Sequence, residues 1–560
     1  GKGLVDGRAA LYLCRDYTCQ KPLTTPAEVQ AALAEAPAPA ASRPTILTSR
    51  LPGHATRDGT ATYAARGSAQ GLAPGYTRLG SSGLIVSRVG FGGYRIDDLT
   101  PEHREALTQA LLAGCNLIDT STNYTDGASE RLVGEVLHDL VARGRLRREE
   151  VVVVSKIGYL QGENYALAQK RAEAGHPFPE VVEYGEGLWH CIHPDFLADQ
   201  IDRSLGRLGL ETLDFCLLHN PEYFLADANR LGYADADRLG EEFDRRLTEA
   251  FRYFETQVAA GRLTGYGVSS NTCVKPPDDP EATSLTRMLA AAEEAGGAGH
   301  HFRVLQLPLN LFEAGAALQE NSGPDGRQTV LEYAQERGVG VLANRPLNAF
   351  PEPGLVRLAD VEAPETLAGF EEVLGRIAAL ETEYRESIAS ELQAAEKGLP
   401  PAEFFRWAES LRDIRGRARG LEHWRDIESQ GILPRLTQPL RTLDRNLAGV
   451  PGRRWRDWRA RYVPQVQRAL GELAREAAER SRETSRAVAA ALAPLLPQEQ
   501  RAQSLSRQAL WTVAHTPGVS AALCGMRKPA YVEDALGVLA WHRFPRALAA
   551  YPAVATLELG

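Results

Sequence analysis

No apolar run in this chain approaches the ~20 residues that a membrane-spanning helix needs, and no N-terminal stretch has the order of a secretory signal. Cysteine is scarce: seven in 560 residues, scattered and odd in number. That count does not make a disulfide framework, and a reducing cytoplasm is the simplest setting. Cys14 and Cys19 have four residues between them, too many for a redox C-x-x-C pair, and two cysteines are too few for a zinc site. Excess positive charge is also lacking. The net charge of -9 does not suggest a nucleic-acid binder overall. Finally, no G-x-G-x-x-G follows a first strand and opens a helix. Gly90-Phe91-Gly92-Gly93 lacks that context, so no Rossmann-type dinucleotide site is expected there.

What is present is a soluble globular composition, 44% hydrophobic and 24% charged. At this length two or more folded units are expected. Residues 36–75 are rich in Ala, Pro, Ser, Gly and Thr without lasting periodicity, and read as a linker. Two short apolar runs around Gly80–Gly83 then suggest a hairpin. Strand and helix signals alternate after it. Strands are expected over 89–94, 116–119, 151–156, 214–219, 265–270, 304–309, 338–343 and 519–524. Helices are expected over 102–113, 129–142, 195–208, 244–260, 284–295, 329–337, 504–515 and 530–539. This is an α/β pattern with a parallel sheet. Eight units favour a closed (β/α)8 barrel over an open doubly wound sheet, which periodicity alone does not exclude.

One stretch breaks the rhythm. Residues 351–501 separate the seventh strand from the next barrel helix, far longer than an ordinary βα connection. Ala, Leu, Glu and Arg dominate it, as in helices. Helices are expected over 365–396, 401–427 and 463–492, with Pro434, Pro439, Pro451 and Gly452 as punctuation. Trp407, Trp424, Trp455 and Trp458, four of the seven tryptophans, imply a packed helical domain. Arg453-Arg454-Trp455-Arg456-Asp457-Trp458-Arg459 could grip a polyanion; core tryptophans under a solvated arginine face are the simpler reading.

Four residues carry the chemistry. Asp119 and Tyr124 follow the run Asn116-Leu117-Ile118, Lys156 closes Val151–Ser155, and His219 closes Leu213–Leu218. In a parallel barrel all these strand ends open at one mouth. A free phenol has a pKa of about 10 and is a poor acid near neutrality. A nearby ammonium lowers it, a carboxylate holds the ammonium, and an imidazole orients the substrate oxygen.

This order and spacing resemble the aldo-keto reductase superfamily, over about 76–350 and again 504–548. The resemblance implies hydride transfer between a nicotinamide and a carbonyl carbon, with Tyr124 as general acid, Lys156 lowering its pKa, Asp119 holding Lys156 and His219 orienting the carbonyl. It implies that the hairpin plugs the barrel bottom. Gly267-Val268-Ser269-Ser270 resembles the family's Gly-Val-Ser-Asn element, and Gln306 its strand-six glutamine; Ser269, Ser270 and Gln306 would hold the carboxamide. Gly525, Arg527 and Lys528, before a helix, would take phosphate and favour NADP(H) over NAD(H). Two departures stand out. Asp534 replaces the family's usual Asn beside the adenine, and Asn344 stands where many members stack an aromatic on the nicotinamide; Arg345 could offer a guanidinium instead.

The stretch 159–194 reads as a long loop overhanging the mouth, with Trp189 and His190 as substrate contacts and Asn220 beside them. His190, Cys191 and His193 lack a separate ligand set, so no metal is expected. The expected partner is a small carbonyl or alcohol, without membrane or nucleic acid. The helical insertion is expected to stand over the mouth as a lid, or to mediate homo-oligomer contact. Two alternatives accompany this reading: an NAD-linked sugar or lactol dehydrogenase, and a non-turnover regulatory subunit on the same fold. Residues 1–35 resemble the C-terminal tail of thioredoxin-like proteins carrying an epimerase-like helical barrel. With Gly rather than Met at position 1, a fragment of a larger fusion is the expectation.

Overall fold

The computed structural model describes residues 49–557 except 234, 351–354, 362–368, 390–400 and 448, together with Cys14–Arg15 and Thr18–Cys19, which pair antiparallel. The rest of the tail-like stretch 1–35 lies outside the described residues, as does 36–48 of the expected linker. The chain divides into two compact units. One is built from 44–360 and 485–559, the other chiefly from 361–484.

The first unit is a closed, all-parallel eight-stranded barrel. Its strands are β1 (Val89–Gly92), β2 (Leu117–Asp119), β3 (Val152–Ile157), β4 (Leu213–His219), β5 (Leu263–Ser269), β6 (Phe302–Pro308), β7 (Gly340–Asn344) and β8 (Val519–Cys524). They follow one another around the barrel in chain order. The helices are α1 (Pro101–Leu112), α2 (Ala128–Ala142), α3 (Pro194–Leu208), α4 (Ala236–Ala259), α5 (Leu285–Gly296), α6 (Val330–Glu336), α7 (Leu505–Ala514) and α8 (Pro529–Leu536).

Side chains alternate along a strand, so one set fills the barrel and the other meets the helices. The interior cluster contains Leu117, Val152, Val154, Phe215, Leu217, Val304, Leu342, Ala521 and Leu523. Ile118, Val153, Cys216, Leu218, Val268, Leu305 and Val341 belong instead to the cluster shared with the helices. Tyr76–Arg78 and Ile85–Ser87 form the expected hairpin, and Leu79, Leu84 and Val86 bury in the interior cluster. The hairpin therefore plugs the barrel. At Gly267 on β5 an added Cβ would sit 1.7 Å from the Val304 carbonyl oxygen. Only glycine allows β5 and β6 to approach there.

Three expectations are corrected. Residues 57–67 of the supposed linker form a helix, Arg57–Gly67, capped by Thr56 and packed by Tyr63, which belongs to the main core. Small residues hid it: Gly59 lies so close to Glu149 that a Cβ would meet its carbonyl oxygen at 2.2 Å. Composition read as flexibility was close packing. The stretch 159–194 is not a loop either. It carries a helix, Gly162–Glu173, and a three-stranded antiparallel sheet of Tyr159–Leu160, Val182–Gly185 and Leu188–His190. Thirdly, residues 355–360 and 485–501 of the expected insertion group with the barrel unit. Val488, Leu492 and Leu496 are buried in the barrel's own core.

The second unit is helical. Phe370–Ser387, Trp407–Ile414, Leu421–Asp426 and Leu433–Asn446 precede the long helix Gly449–Leu492. The expected helix over 401–427 is broken because Gly416 adopts φ 82°. Pro451, expected to punctuate, stands in the first turn of the long helix, where its missing N–H has no intrahelical partner to lose. Trp424, Trp455 and Trp458 are buried with Tyr384, Phe405 and Tyr462. Trp458 and Tyr462, one turn apart, stack with centroids 4.4 Å apart. The tryptophans of the Arg-Trp run are thus core residues. Buried Glu381 accepts from the N–H of Trp407 at 2.6 Å and from the Tyr462 hydroxyl at 2.8 Å, anchoring the start of a helix from within the core.

Candidate active site

The barrel's alternation decides which side chains reach the site. Asp119, Lys156, His219, Gln306 and Asn344 lie two positions past the inward residues Leu117, Val154, Leu217, Val304 and Leu342, and Ser269 lies two past Gly267. They lie within the last three residues of β2, β3, β4, β5, β6 and β7, six consecutive strands. Register aligns them: His219 pairs with Ser269, and Ser269 with Gln306.

Lys156 is completely buried. Its Nζ lies 2.8 Å from the Asp119 carboxylate, 2.8 Å from the Thr120 carbonyl oxygen and 3.0 Å from the Tyr124 hydroxyl. All three ammonium protons have an acceptor. Burial pushes Lys156 down and Asp119 up, each toward neutrality; their mutual attraction opposes both shifts. The Tyr124 phenol is raised well above its ordinary value, first by burial, then by the Asp119 carboxylate and Tyr94. The net shift is therefore upward, whereas the sequence reading considered only the ammonium of Lys156. Burial is the largest cause, and the phenol stays protonated at neutral pH.

Tyr124 leaves β2 through a strained turn. Thr125 and Asp126 adopt φ of 46° and 54°, which non-glycine residues rarely do. The Thr125 hydroxyl donates to the Ile96 carbonyl at 2.5 Å, and Asp126 accepts from the N–H of Glu163 at 3.1 Å. These contacts fix a loop that its own backbone disfavours. Tyr94 packs edge-on to Tyr124, centroids 5.2 Å apart.

His219 is buried. Its ring edge faces Tyr124 at 5.8 Å and Tyr159 at 4.7 Å between centroids. Nδ1 lies 3.0 Å from the Ser121 hydroxyl. Burial, the Lys156 ammonium and His190 hold its pKa well below the usual imidazole range.

On the next strands, Ser269 Oγ donates to Gln306 Oε1 at 3.0 Å, and Gln306 Nε2 donates to Asp119 Oδ1 at 2.7 Å. Asn344 Nδ2 lies 3.5 Å from Gln306 Oε1, while Asn344 Oδ1 is buried without a hydrogen-bond partner. An orphaned carbonyl beside a hydroxyl and an amide suits a carboxamide, which brings both a donor and an acceptor. These residues therefore fit a nicotinamide.

Ser270, Asp534 and Arg345, also expected as contacts, are committed elsewhere. The Ser270 hydroxyl pairs with Thr283 at 2.8 Å and accepts from the N–H groups of Thr272 and Cys273, so it builds the turn after β5. Asp534 accepts from Ser504, Ser506 and Arg507, which ties α8 to the start of α7. Arg345, at φ 54°, pairs with Glu313 at 3.0 Å and covers the Phe350 ring. Gly525 is exposed, Arg527 half-buried and Lys528 exposed, all in the turn before α8; Lys528 Nζ is 3.9 Å from Glu102.

At the mouth, His190 is a correction. It is buried, donates from Nε2 to the His219 carbonyl at 2.7 Å and stacks on Tyr223. It props the backbone of His219, and burial lowers its pKa to about 4. Asn220, at φ 52°, donates to the Tyr159 hydroxyl at 2.7 Å and is likewise structural. Half-buried Trp189 packs edge-on against Tyr165. His193 caps α3. Among the described residues no group of three or more His, Cys, Asp or Glu is placed to hold a metal, and no helix is long and apolar enough to cross a membrane. Sequence reasoning missed Ser121, Tyr94 and Tyr159, and placed Glu222 only in the run 220–224 of further mouth residues. Ser121 and Tyr159 had one signal: each lies two or three positions past a residue already singled out, Asp119 and Lys156.

Residues 88–357 match the family described as Aldo/keto reductase family. Among curated proteins, the chain is similar to an NADH-specific methylglyoxal reductase of Escherichia coli (strain K12), 28% identical over 25% of this chain and 40% of that protein. It is similar to a 6-dehydroglucose reductase of Novosphingobium aromaticivorans, 28% identical over 36% of this chain and 53% of that protein. An NAD(P)H-dependent D-xylose reductase of Scheffersomyces stipitis is 25% identical over 34% of this chain and 50% of that protein. The chain spans about half the length of the curated relatives it matches.

Proposed function

We propose that the barrel is an aldo/keto reductase, an oxidoreductase that interconverts a small carbonyl compound and its alcohol with NADP(H). The observation that carries this is the buried ammonium of Lys156, which joins the Asp119 carboxylate to the Tyr124 hydroxyl within 3.0 Å. A bound nicotinamide would supply or accept the hydride. Tyr124, held protonated, donates its proton to the substrate oxygen. Lys156 Nζ hydrogen-bonds the phenol oxygen and stabilises the negative charge that develops there. Asp119 keeps Lys156 charged in a dry site, and Gln306 keeps Asp119 in place. His219 aligns the substrate oxygen beside the phenol. Ser269, Gln306 and Asn344 would hold the carboxamide of the cofactor.

The turn Gly525–Lys528 before α8 offers two cations at the opening of a helix, which suits the extra phosphate of NADP(H). Fluorescence titration with both reduced cofactors tests this; NADPH should bind more tightly. The named D-xylose, dehydroglucose and methylglyoxal reductases point to sugars and short oxo compounds as the first substrates to assay. An NAD-linked activity is the second reading. It is favoured by the 3.9 Å approach of Lys528 to Glu102, which draws one cation toward a carboxylate of α1. Equal or tighter NADH binding would select it.

A further inference from the structure

We infer that the plugged end of the barrel, opposite the mouth, carries a second binding site, for a small phosphate monoester with hydroxyls on its carbon chain. The site goes beyond the reductase reading and does not depend on it.

The place is set by strand starts. Phe215, Thr264 and Arg303 stand near the beginnings of β4, β5 and β6, and Ser82 lies in the turn of the plugging hairpin. With His54 and Arg57 they line a cavity of about 300 Å³, at the small end of the range for ligand sites. Phe215 and His219 are four residues apart on β4, so about 13 Å of strand separates the cavity from the mouth. The segment that carries His54 and Arg57 is pinned to the barrel. The Leu51 N–H donates to the Gly209 carbonyl at 2.7 Å, the Thr56 N–H to the Glu149 carbonyl at 3.1 Å and the Ala55 N–H to the buried Asp214 carboxylate at 2.6 Å. Asp214 also receives the Val153 N–H at 2.7 Å and the Arg148 guanidinium at 2.8 Å, so its charge is answered within the protein.

Charge is the second observation. Among the described residues no carboxylate lines the cavity, and Arg57 and Arg303 enter no ion pair. Carboxylates are not in short supply: Asp and Glu number 72 against 63 Lys and Arg. Arg66 of the same helix as Arg57, and Arg147, both pair with Glu150, at 2.7 and 3.1 Å. Arg303 is half-buried and held by two carbonyls, since its Nη1 donates to His300 at 2.7 Å and to Phe302 at 3.0 Å. Its Nε and Nη2 protons are left for a ligand.

The donors choose the anion. A carboxylate has two oxygens and one charge, whereas a phosphate monoester has three terminal oxygens and about two charges. Two guanidinium forks and an imidazole around one small cavity match the larger charge, because each fork can take paired phosphate oxygens. The hydroxyls choose the rest. Ser82 and Thr264 have already given their protons, to the carbonyls of Leu79 at 2.6 Å and Asp214 at 2.5 Å. Each can offer a ligand only an oxygen that accepts. That oxygen does not serve a phosphate, but it serves a hydroxyl on the carbon chain beside it. The Phe215 ring supplies an apolar wall for that chain.

Titration calorimetry of the full chain with glycerol 3-phosphate, inorganic phosphate and glycerol tests this. The ester is expected to bind saturably and more tightly than inorganic phosphate, and glycerol not at all. Arg57→Gln and Arg303→Gln should each weaken the ester by about tenfold or more, the worth of a charged hydrogen bond. Among the described residues Arg57 has no partner to lose, so its variant should fold as the parent does even if Arg303→Gln does not. Arg527→Gln alters the turn before α8, at the mouth end, and should leave the affinity for the ester unchanged. No saturable binding by the parent, or undiminished binding by Arg57→Gln, would overturn the inference. So would a loss confined to Arg527→Gln, which would put the phosphate at the mouth. Inorganic phosphate binding as tightly as the ester would overturn the ligand class.

Discussion

Gln306 Nε2 lies 2.7 Å from Asp119 Oδ1, so the residues that would hold a cofactor and those that would move a proton share one hydrogen-bonded chain. It runs from Ser269 through Gln306 and Asp119 to Lys156 and Tyr124. Gln306→Leu removes the middle link. Asp119 Oδ1 keeps Lys156 at 2.8 Å but loses its second donor, at about 1 kcal/mol of stability. Thermal unfolding should show the loss, and nicotinamide affinity should fall with it. Unchanged cofactor affinity in a folded variant would separate the two halves of the site.

Glu222 supplies a pH test. Burial pushes this carboxyl up to about 7 from a usual 4.5. One oxygen accepts from the N–H of Asn271 at 2.7 Å, and the other is buried without a partner. Because the folded pKa is raised, its stabilising contribution is complete below the usual carboxylate range and is lost as pH rises through about 7. Glu222→Gln keeps an acceptor for Asn271 and removes the buried charge. The variant should gain stability over the parent at pH 8, by at most about 3 kcal/mol, and gain little at pH 5. An equal effect at both pH values would contradict the assignment.

The acid limb has the opposite sign. Burial lowers His190 and His515 to about 4. Their contributions are present above the ordinary histidine range and are lost as pH falls through about 4. Denaturant unfolding should show stability falling between about pH 6.5 and 4, and less so in His515→Gln.

The helical unit can be tested by its core. Trp458 is buried and donates to the Leu380 carbonyl at 2.6 Å. Trp458→Ala should cost about 3–5 kcal/mol within that unit. Calorimetry is expected to show one transition lowered and a second, from the barrel, unmoved. A single transition lowered as a whole would mean that 361–484 and the barrel do not unfold separately.

The barrel was legible because its signals are local. Apolar runs such as Val151–Val154 and Leu213–Leu218 announce buried strands, and period-two alternation places the residue that ends each run at the mouth. Asp119, Lys156 and His219 could therefore be found by position alone. What failed depends on partners distant in sequence. His190 and Asn220 look like polar mouth residues until the His219 carbonyl and the Tyr159 hydroxyl claim them. Ser270 and Asp534 look like cofactor contacts until Thr283 and the start of α7 do the same. The upward shift of Tyr124 comes first from burial, which the sequence does not display. The helix Arg57–Gly67 escaped because glycine and alanine signal loops in composition and close packing in structure.

The central claim is that Tyr124 is the proton donor of a nicotinamide-dependent carbonyl reduction. The direct measurement follows NADPH oxidation with a panel of sugars and short oxo compounds, for the parent chain and for Tyr124→Phe. The phenol makes one hydrogen bond with Lys156 and its ring stays packed against Tyr94 and His219, so the variant should fold and still bind cofactor. Turnover by the parent is expected on at least one substrate, falling roughly 10²–10⁴-fold in the variant, the usual worth of general acid catalysis. Equal rates for the two proteins, or no turnover by the parent on any carbonyl or alcohol of the panel in either direction, would contradict the account.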